Sequence, residues 1–363
     1  MLQRWRIAIV ALAALLNIEG AAADDFVREE LRIPMAAAGP KGLEAVLVRP
    51  RGPGRYPLAL INHGSPRSSA DRPGMTPLAM LPVAMEFARR GWATAVVMRR
   101  GYGGSGGNWA EGYGSCENPD YVAGGIPSAV DLRTAIDYLS QRPDIDPSRI
   151  ISAGVSAGGF ATVALTADPP KGLVAGINFA GGRGSQSADS VCHGERLISA
   201  YGTFGKRSRV PMLWVYAEND HFFGPALAKR FNEAFTAGGG RTTFILEPPF
   251  GADGHSLFSR AGIPRWTPLV DNFLKSQNLV LRDTPLPLAT VELQPPSPMN
   301  DKTRQAFADY LASAPHKAFA LSPDGQHFGS KSGRRTVEEA KSGALENCKS
   351  QCRVVVVDDN AVR

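Results

Sequence analysis

Between residues 26 and 280, short continuous apolar runs take turns with segments whose apolar positions recur every three or four residues. The runs at 43–48, 58–62, 93–98, 150–155, 173–179, 212–216 and 242–246 have strand length and little alternation, which marks strands buried on both faces. Helical spacing falls at 80–90, 129–139, 157–167, 225–235 and 266–275. Gly91 ends the first of these, Pro143 stops the second, and Pro169-Pro170 stops the third. Strands alternating with helices in this order predict an α/β fold, a mostly parallel sheet with helices on both faces. Ligands bind past the carboxyl ends of such strands, so the loops after each strand are where chemistry is expected.

The pattern changes twice outside this stretch. Residues 282–299 are proline-rich and aperiodic and read as a linker. Beyond them, helical spacing at 302–312 and 337–348 and apolar runs at 317–321 and 353–357 predict a small α+β unit over 300–363, with one helix on a short sheet. At the other end, Arg4 and Arg6 precede an apolar run at 7–16, then Ala21-Ala22-Ala23 and the acidic pair Asp24-Asp25. A positive start, a short apolar run and small residues at a cut site predict a signal peptide over 1–23. The run is too short to span a bilayer comfortably, and no cysteine marks a lipid anchor. The expected plan is therefore a signal peptide, a catalytic unit over 24–281, the linker and an accessory unit. The expected location is secreted or periplasmic, without a stable membrane span after cleavage.

Composition alters this little. The 363 residues are 43% hydrophobic and 20% charged, ordinary for a globular enzyme. The formal charge of +6 is dispersed, and two of its arginines lie in the segment expected to be removed. That predicts a solvated surface and no nucleic-acid partner. The cysteines, Cys116, Cys192, Cys348 and Cys352, are even in number in a chain expected to be exported, so disulfides are expected. Three pairings exist; the layout favours Cys116 with Cys192 and Cys348 with Cys352. A metal site is not expected, because no second close Cys or His pair accompanies either cluster.

The chemistry concentrates at strand ends. The run 150–155 leads directly into Gly154-Val155-Ser156-Ala157-Gly158-Gly159, and a helical pattern follows. A G-x-S-x-G at a strand-to-helix turn is a nucleophile elbow, with the serine at a helix N-terminus whose dipole favours negative charge. Gly103-Gly104-Ser105-Gly106-Gly107 matches the same pattern, but no helix follows it, so Ser105 is rejected. A serine hydroxyl needs a base, and the base an orienting acid, in the chain order serine, acid, histidine. Asp220, just past the run 212–216, is the expected acid, with Glu218 in reserve. His255, after the loop 248–254, is the expected base. Two N–H donors should bind the oxyanion, one from Ala157 and one from the loop His63-Gly64-Ser65-Pro66, where Ser65 is preferred and Gly64 is the alternative. His63 is expected to order that loop or meet the substrate; Tyr102, Trp109 and His221 are further candidates for the pocket wall. His193 lies in a loop, and His316 and His327 belong to the accessory unit. The insertion 181–209 reads as a short lid that Cys192 ties to Cys116.

Together, His63-Gly64-Ser65-Pro66, Arg100-Gly101-Tyr102-Gly103-Gly104-Ser105, the Ser156 elbow, Asp220 and His255 resemble the dienelactone hydrolase and prolyl-oligopeptidase-like branch of the α/β-hydrolase superfamily, over about residues 40–278. The resemblance implies an acyl hydrolase working through an acyl-serine intermediate without a cofactor. One departure matters: dienelactone hydrolases proper use cysteine where this chain has Ser156. The expected function is hydrolysis of a carboxylic ester, the substrate being a small-molecule ester or short peptide. The alternatives are a serine peptidase or amidase, and a non-catalytic binding protein that keeps the fold.

Overall fold

The computed structural model describes residues 25–349 and 351–362; the segment expected as a signal peptide lies outside them. In chain order the first elements are β1 (Phe26–Ile33), β2 (Leu43–Pro50), β3 (Tyr56–Asn62), α1 (Leu81–Arg89), β4 (Ala93–Val97), α2 (Tyr121–Leu139), β5 (Ile145–Val155), α3 (Ala157–Thr166) and β6 (Leu173–Phe179). A two-stranded hairpin, β7 (Ser185–Ser187) and β8 (Ser190–Val191), is followed by α4 (Gly194–Gly205), β9 (Pro211–Ala217), α5 (Pro225–Ala237), β10 (Arg241–Glu247) and α6 (Ile263–Ser276).

The main sheet has the order β1-β2-β4-β3-β5-β6-β9-β10. The pairs β1/β2 and β2/β4 are antiparallel, and every pair from β4 to β10 is parallel. Alternate residues serve opposite faces, as the period of two requires. Ala59 and Ile61 of β3 join the core under α1 and α6, while Leu58 and Leu60 join the core under α2. A third, aromatic-rich cluster buries Phe160 of α3, Tyr201 and Phe204 of α4, Trp214 of β9 and Phe231 of α5. These rings fasten the late strands, past whose ends lie Asp220 and His255.

Four local expectations need correction. Strand β1 was not anticipated: its burial alternates with exposure, so it lacks the continuous apolar run of an inner strand. Helix α2 begins eight residues before the expected 129, because Asp120 accepts a hydrogen bond from the Ala123 N–H and caps the helix there, ahead of Pro127. The insertion 181–209 is no simple lid. Its helix α4 buries Leu197, Ala200, Tyr201 and Phe204 in the core, and only the hairpin region reaches the site. The tail carries helices on both faces of its sheet.

That tail comprises α7 (Asp301–Leu311), β11 (Ala318–Leu321), β12 (Phe328–Lys331), α8 (Val337–Cys348), β13 (Arg353–Val357) and β14 (Asn360–Ala361), with sheet order β12-β11-β13-β14. Phe307 and Tyr310 of α7 pack on Phe319 and Leu321, while Ala340 and Ala344 of α8 pack on Ala318 and Ala320 of the same strand's other face. No helix or strand lies between Ser276 and Asp301. Within this connection Leu286 exchanges two hydrogen bonds with Arg89 of α1, at 2.9 and 2.6 Å. The tail docks on residues 73–79. Arg335 reaches Glu44 Oε2 (3.1 Å) and the Met75 carbonyl (2.9 Å), Arg334 the Gly74 carbonyl (3.1 Å), and Thr76 donates to the Gly333 carbonyl (2.7 Å). Both cysteine pairs stand at disulfide distance, Cys116 with Cys192 at a Cα separation of 4.9 Å and Cys348 with Cys352 at 6.4 Å. Among the described residues no helix is long and apolar enough to cross a membrane.

Candidate active site

Ser156 follows β5 and caps α3 with φ 56° and ψ −124°, a conformation costly for a residue with a Cβ and retained only where the surroundings dictate it. The surroundings do so by close approach. A Cβ on Gly154 would meet the carbonyl of Gly158, one on Gly158 the carbonyl of Asn62 at the end of β3, and one on Gly159 the side chain of Asn178. The glycines thus let strand, turn and helix cross within backbone contact, and the serine is turned out at the N-terminus of α3. Its N–H donates to the Phe179 carbonyl (3.0 Å), and its carbonyl accepts from Phe160 (3.0 Å) and Gly182 (3.1 Å).

Asp220 and His255 come from different strand ends and meet. Nδ1 of His255 lies 3.1 Å from Oδ2 and 3.2 Å from Oδ1 of Asp220. The carboxylate is buried, and its Oδ1 accepts from the N–H groups of Phe222 (2.7 Å) and Phe223 (2.9 Å). Asp253 holds His255 in place: its Oδ1 accepts from the N–H of His255 (2.9 Å) and that of His221 (3.1 Å), joining the two loops. Phe222 stacks on the imidazole, centroids 3.9 Å apart and planes 12° from parallel. Glu218, the reserve acid, is exposed, and among the described residues the carboxylate paired with His255 is that of Asp220.

The loop after β3 passes directly over Ser156, since a Cβ on Gly64 would stand 3.1 Å from the Cβ of Ser156. Ser65 and Ala157 both line the cleft beside Ser156. Ala157 opens α3, so its N–H has no acceptor within the helix. Below the loop is a buried polar network that sequence reasoning missed. Arg99 and Glu111 form an ion pair with almost no exposure, and Arg183 donates to Glu111 Oε2 (2.6 Å) and Ser128 Oγ (2.8 Å). Two guanidiniums hold the Glu111 carboxyl far below its ordinary range against the burial that pushes it up. Arg99 and Arg183 follow strand ends by a few residues and Glu111 lies further along the loop after β4, but no local pattern says that the loops after β4 and β6 converge.

Of the four expected wall residues, Trp109 lines the cleft and three do different work. His63 borders the cleft from below, where its Nδ1 donates to the Gly64 carbonyl (2.6 Å) and its Nε2 accepts from the Arg99 N–H (3.2 Å), leaving no nitrogen for a substrate. Burial first and the Arg99 charge second lower its pKa to about 3, so it stays neutral. Tyr102 is wholly buried beneath the loop; its hydroxyl donates to Glu111 Oε2 (2.8 Å), accepts from Trp109 Nε1 (2.9 Å) and lies 2.9 Å from Ser65 Oγ. His221 turns outward to Asp189 of the hairpin, 3.1 Å away, which raises its pKa.

Two clefts share Ser65, Pro66, Arg67, Ser156 and Phe222. One, of about 420 Å³, is walled by Met75, Met80, Val83 and Phe258 and contains His255. The other, of about 100 Å³, contains Ala157, Trp109 and the arginines 67, 72 and 183.

Residues 39–203 match the model of the X-Pro dipeptidyl-peptidase (S15) family. No curated protein matches. Among solved structures, the chain is similar to the acylaminoacyl peptidase of Pyrococcus horikoshii at 17% identity and TM-score 0.50, over 69% of this chain and 42% of that one. It is also similar to dipeptidyl peptidase 4 of Porphyromonas gingivalis (22% identity, TM-score 0.49, 70% and 35% covered). A further likeness is to the esterase Pf2001 of Pyrococcus furiosus (13%, 0.47, 70% and 90%). This chain thus spans less than half the length of either peptidase.

Proposed function

We propose, from the premise that this chain is a serine hydrolase of the α/β-hydrolase superfamily, that it is an exported enzyme cleaving carboxylic esters with Ser156, His255 and Asp220 as its triad. The observation that carries the reading is the convergence of a strained elbow serine with a buried Asp–His pair on one cleft. Ser156 Oγ attacks the ester carbonyl, and His255 takes its proton. The N–H groups of Ala157 and Ser65 receive the oxyanion. The carbon–oxygen bond to the alcohol then breaks, and His255 returns the proton to the leaving oxygen. Water, deprotonated by the same imidazole, releases the acid and restores the serine. Asp220 holds the imidazole tautomer and stabilises its protonated form.

The S15 match favours a second reading, peptidase activity. A peptidase that measures from a free amino terminus needs an anion for the ammonium group, and among the described residues no carboxylate lines either cleft. Fluorophosphonate labelling with peptide mapping tests the triad: labelling at Ser156, absent in Ser156→Ala, is expected. An unlabelled folded protein overturns the catalytic reading and favours a binding protein. Parallel turnover of ester and X-Pro amide substrates separates the two enzymes.

A further inference from the structure

The smaller cleft has a charge problem that the protein itself does not resolve. Among the described residues, three arginines line it and no carboxylate does. Arg183 shares Glu111 with Arg99, so one anion lies between two guanidiniums, and its buried Nε has no partner among the described residues. Arg72 makes no ion pair among the described residues. Its guanidinium lies 3.7 Å from the ring centroid of Trp109, and its buried Nε also lacks a partner. Arg67 stacks 3.6 Å over Phe222, the ring that packs on His255, and among the described residues its guanidinium bonds only the Ser185 hydroxyl, at 2.9 and 3.2 Å. Stacked aromatics orient these cations without neutralising them. Buried donors are normally paired, and unpaired charge near the interior is costly unless a ligand supplies the counter-charge. The Arg72 segment is held from outside the cleft: Gly103 donates to the Arg72 carbonyl (2.9 Å), and Arg335 of the tail reaches the Met75 carbonyl (2.9 Å).

The division of labour in the triad says which half of the substrate enters. The imidazole must reach the leaving oxygen, so the alcohol lies on the side of His255, which lines only the larger, mainly apolar cleft, where the shared Arg67 stands at the border and Arg260 is paired with Asp309. Of the two oxyanion donors, Ser65 lines both clefts and Ala157 only the cationic one. We infer that the cationic cleft binds a carboxylate carried by the acyl half, held by Arg72 and Arg67. The preferred substrate class is then the monoester of a short dicarboxylic acid with an apolar alcohol. This rests on the ester-hydrolase reading above. The small volume of the cationic cleft limits the acid to a short chain, and the planar, forked guanidinium suits a carboxylate end.

Three esters test it on the full chain: monobenzyl succinate, benzyl butyrate, and 4-carboxybenzyl butyrate, in which the anion moves to the alcohol. The succinate monoester is expected to have the highest kcat/KM, by about tenfold or more over benzyl butyrate. Arg72→Met and, separately, Arg67→Met should each lower the succinate-to-butyrate ratio about tenfold, with Arg72→Lys retaining part of it. A butyrate ester cleaved as well as the succinate, a preference for the carboxybenzyl ester, or a ratio unmoved in both variants overturns the inference while leaving ester hydrolysis standing. If no ester turns over although Ser156 takes fluorophosphonate, the ester reading has failed. Glutarate then decides the subsite: slower labelling in the wild type but not in Arg72→Met upholds it, and no protection overturns it.

Discussion

Gly154-Val155-Ser156-Ala157-Gly158 and Gly103-Gly104-Ser105-Gly106-Gly107 share one five-residue pattern and serve opposite purposes. Around Ser156 the glycines let β5, a tight turn and α3 cross, and the serine is forced into a left-handed conformation facing two clefts. Around Ser105 the glycines let the loop press on the chain before β2, where a Cβ on Gly106 would meet the Ala38 carbonyl. The Ser105 hydroxyl is consumed there: it donates to the Met98 carbonyl (2.6 Å) and accepts from the Glu44 N–H (2.8 Å). The lesson is that the pattern encodes close backbone approach, and the element that follows decides whether the serine is presented or tied down. The second loop still serves the first, because it leads through Trp109 to Glu111, which anchors the floor of the site.

Replacing the two serines in parallel breaks the comparison most sharply. Ser156→Ala is expected to lower ester turnover by about four orders of magnitude or more without lowering the melting temperature, whereas Ser105→Ala keeps turnover and labelling. Comparable losses in both would mean that the loop at 103–107 takes part in the chemistry. Next in size is the link between the loops. Glu111→Gln leaves Arg99 and Arg183 buried without an anion and should cost about 3–5 kcal/mol in urea unfolding.

A smaller effect comes from pH. His63 is lowered from an ordinary 6.5 to about 3, so between those values the unfolded chain binds a proton that the folded one refuses. The stability His63 contributes is therefore complete above 6.5 and is lost as pH falls towards 3. Urea midpoints should decline with falling pH already between about 6.5 and 5, above the carboxylate range, and less steeply in His63→Gln. An unchanged slope in the variant would remove His63 from that account. The smallest expected change is in Ser105→Ala, about 1 kcal/mol from two lost hydrogen bonds, read from the same urea curves.

The α/β alternation and the positions of β6, α8 and β13 were legible residue for residue, because burial on both faces or a fixed helical period writes itself into local order. The candidate triad was legible because each member follows a strand end closely and in a fixed order. Strand β1 and the early start of α2 were less so, since an edge strand and a capped helix start leave weaker periodic signals. His63, Tyr102 and His221 had the right residue types in the right loops, and only their neighbours show that they brace the site or face away from it.

By itself, then, the amino-acid order determined which residues are candidates for the chemistry and which strands present them, because those depend on spacing along one segment. What only the tertiary structure decided is which loops meet: Arg99 with Glu111 and Arg183, Arg67 over Phe222 and His255, and the tail's Arg335 against the wall that holds Arg72. Such contacts join segments far apart in the chain. Their partners are chosen by packing, burial and charge across the whole fold, and no short stretch of residues records that choice.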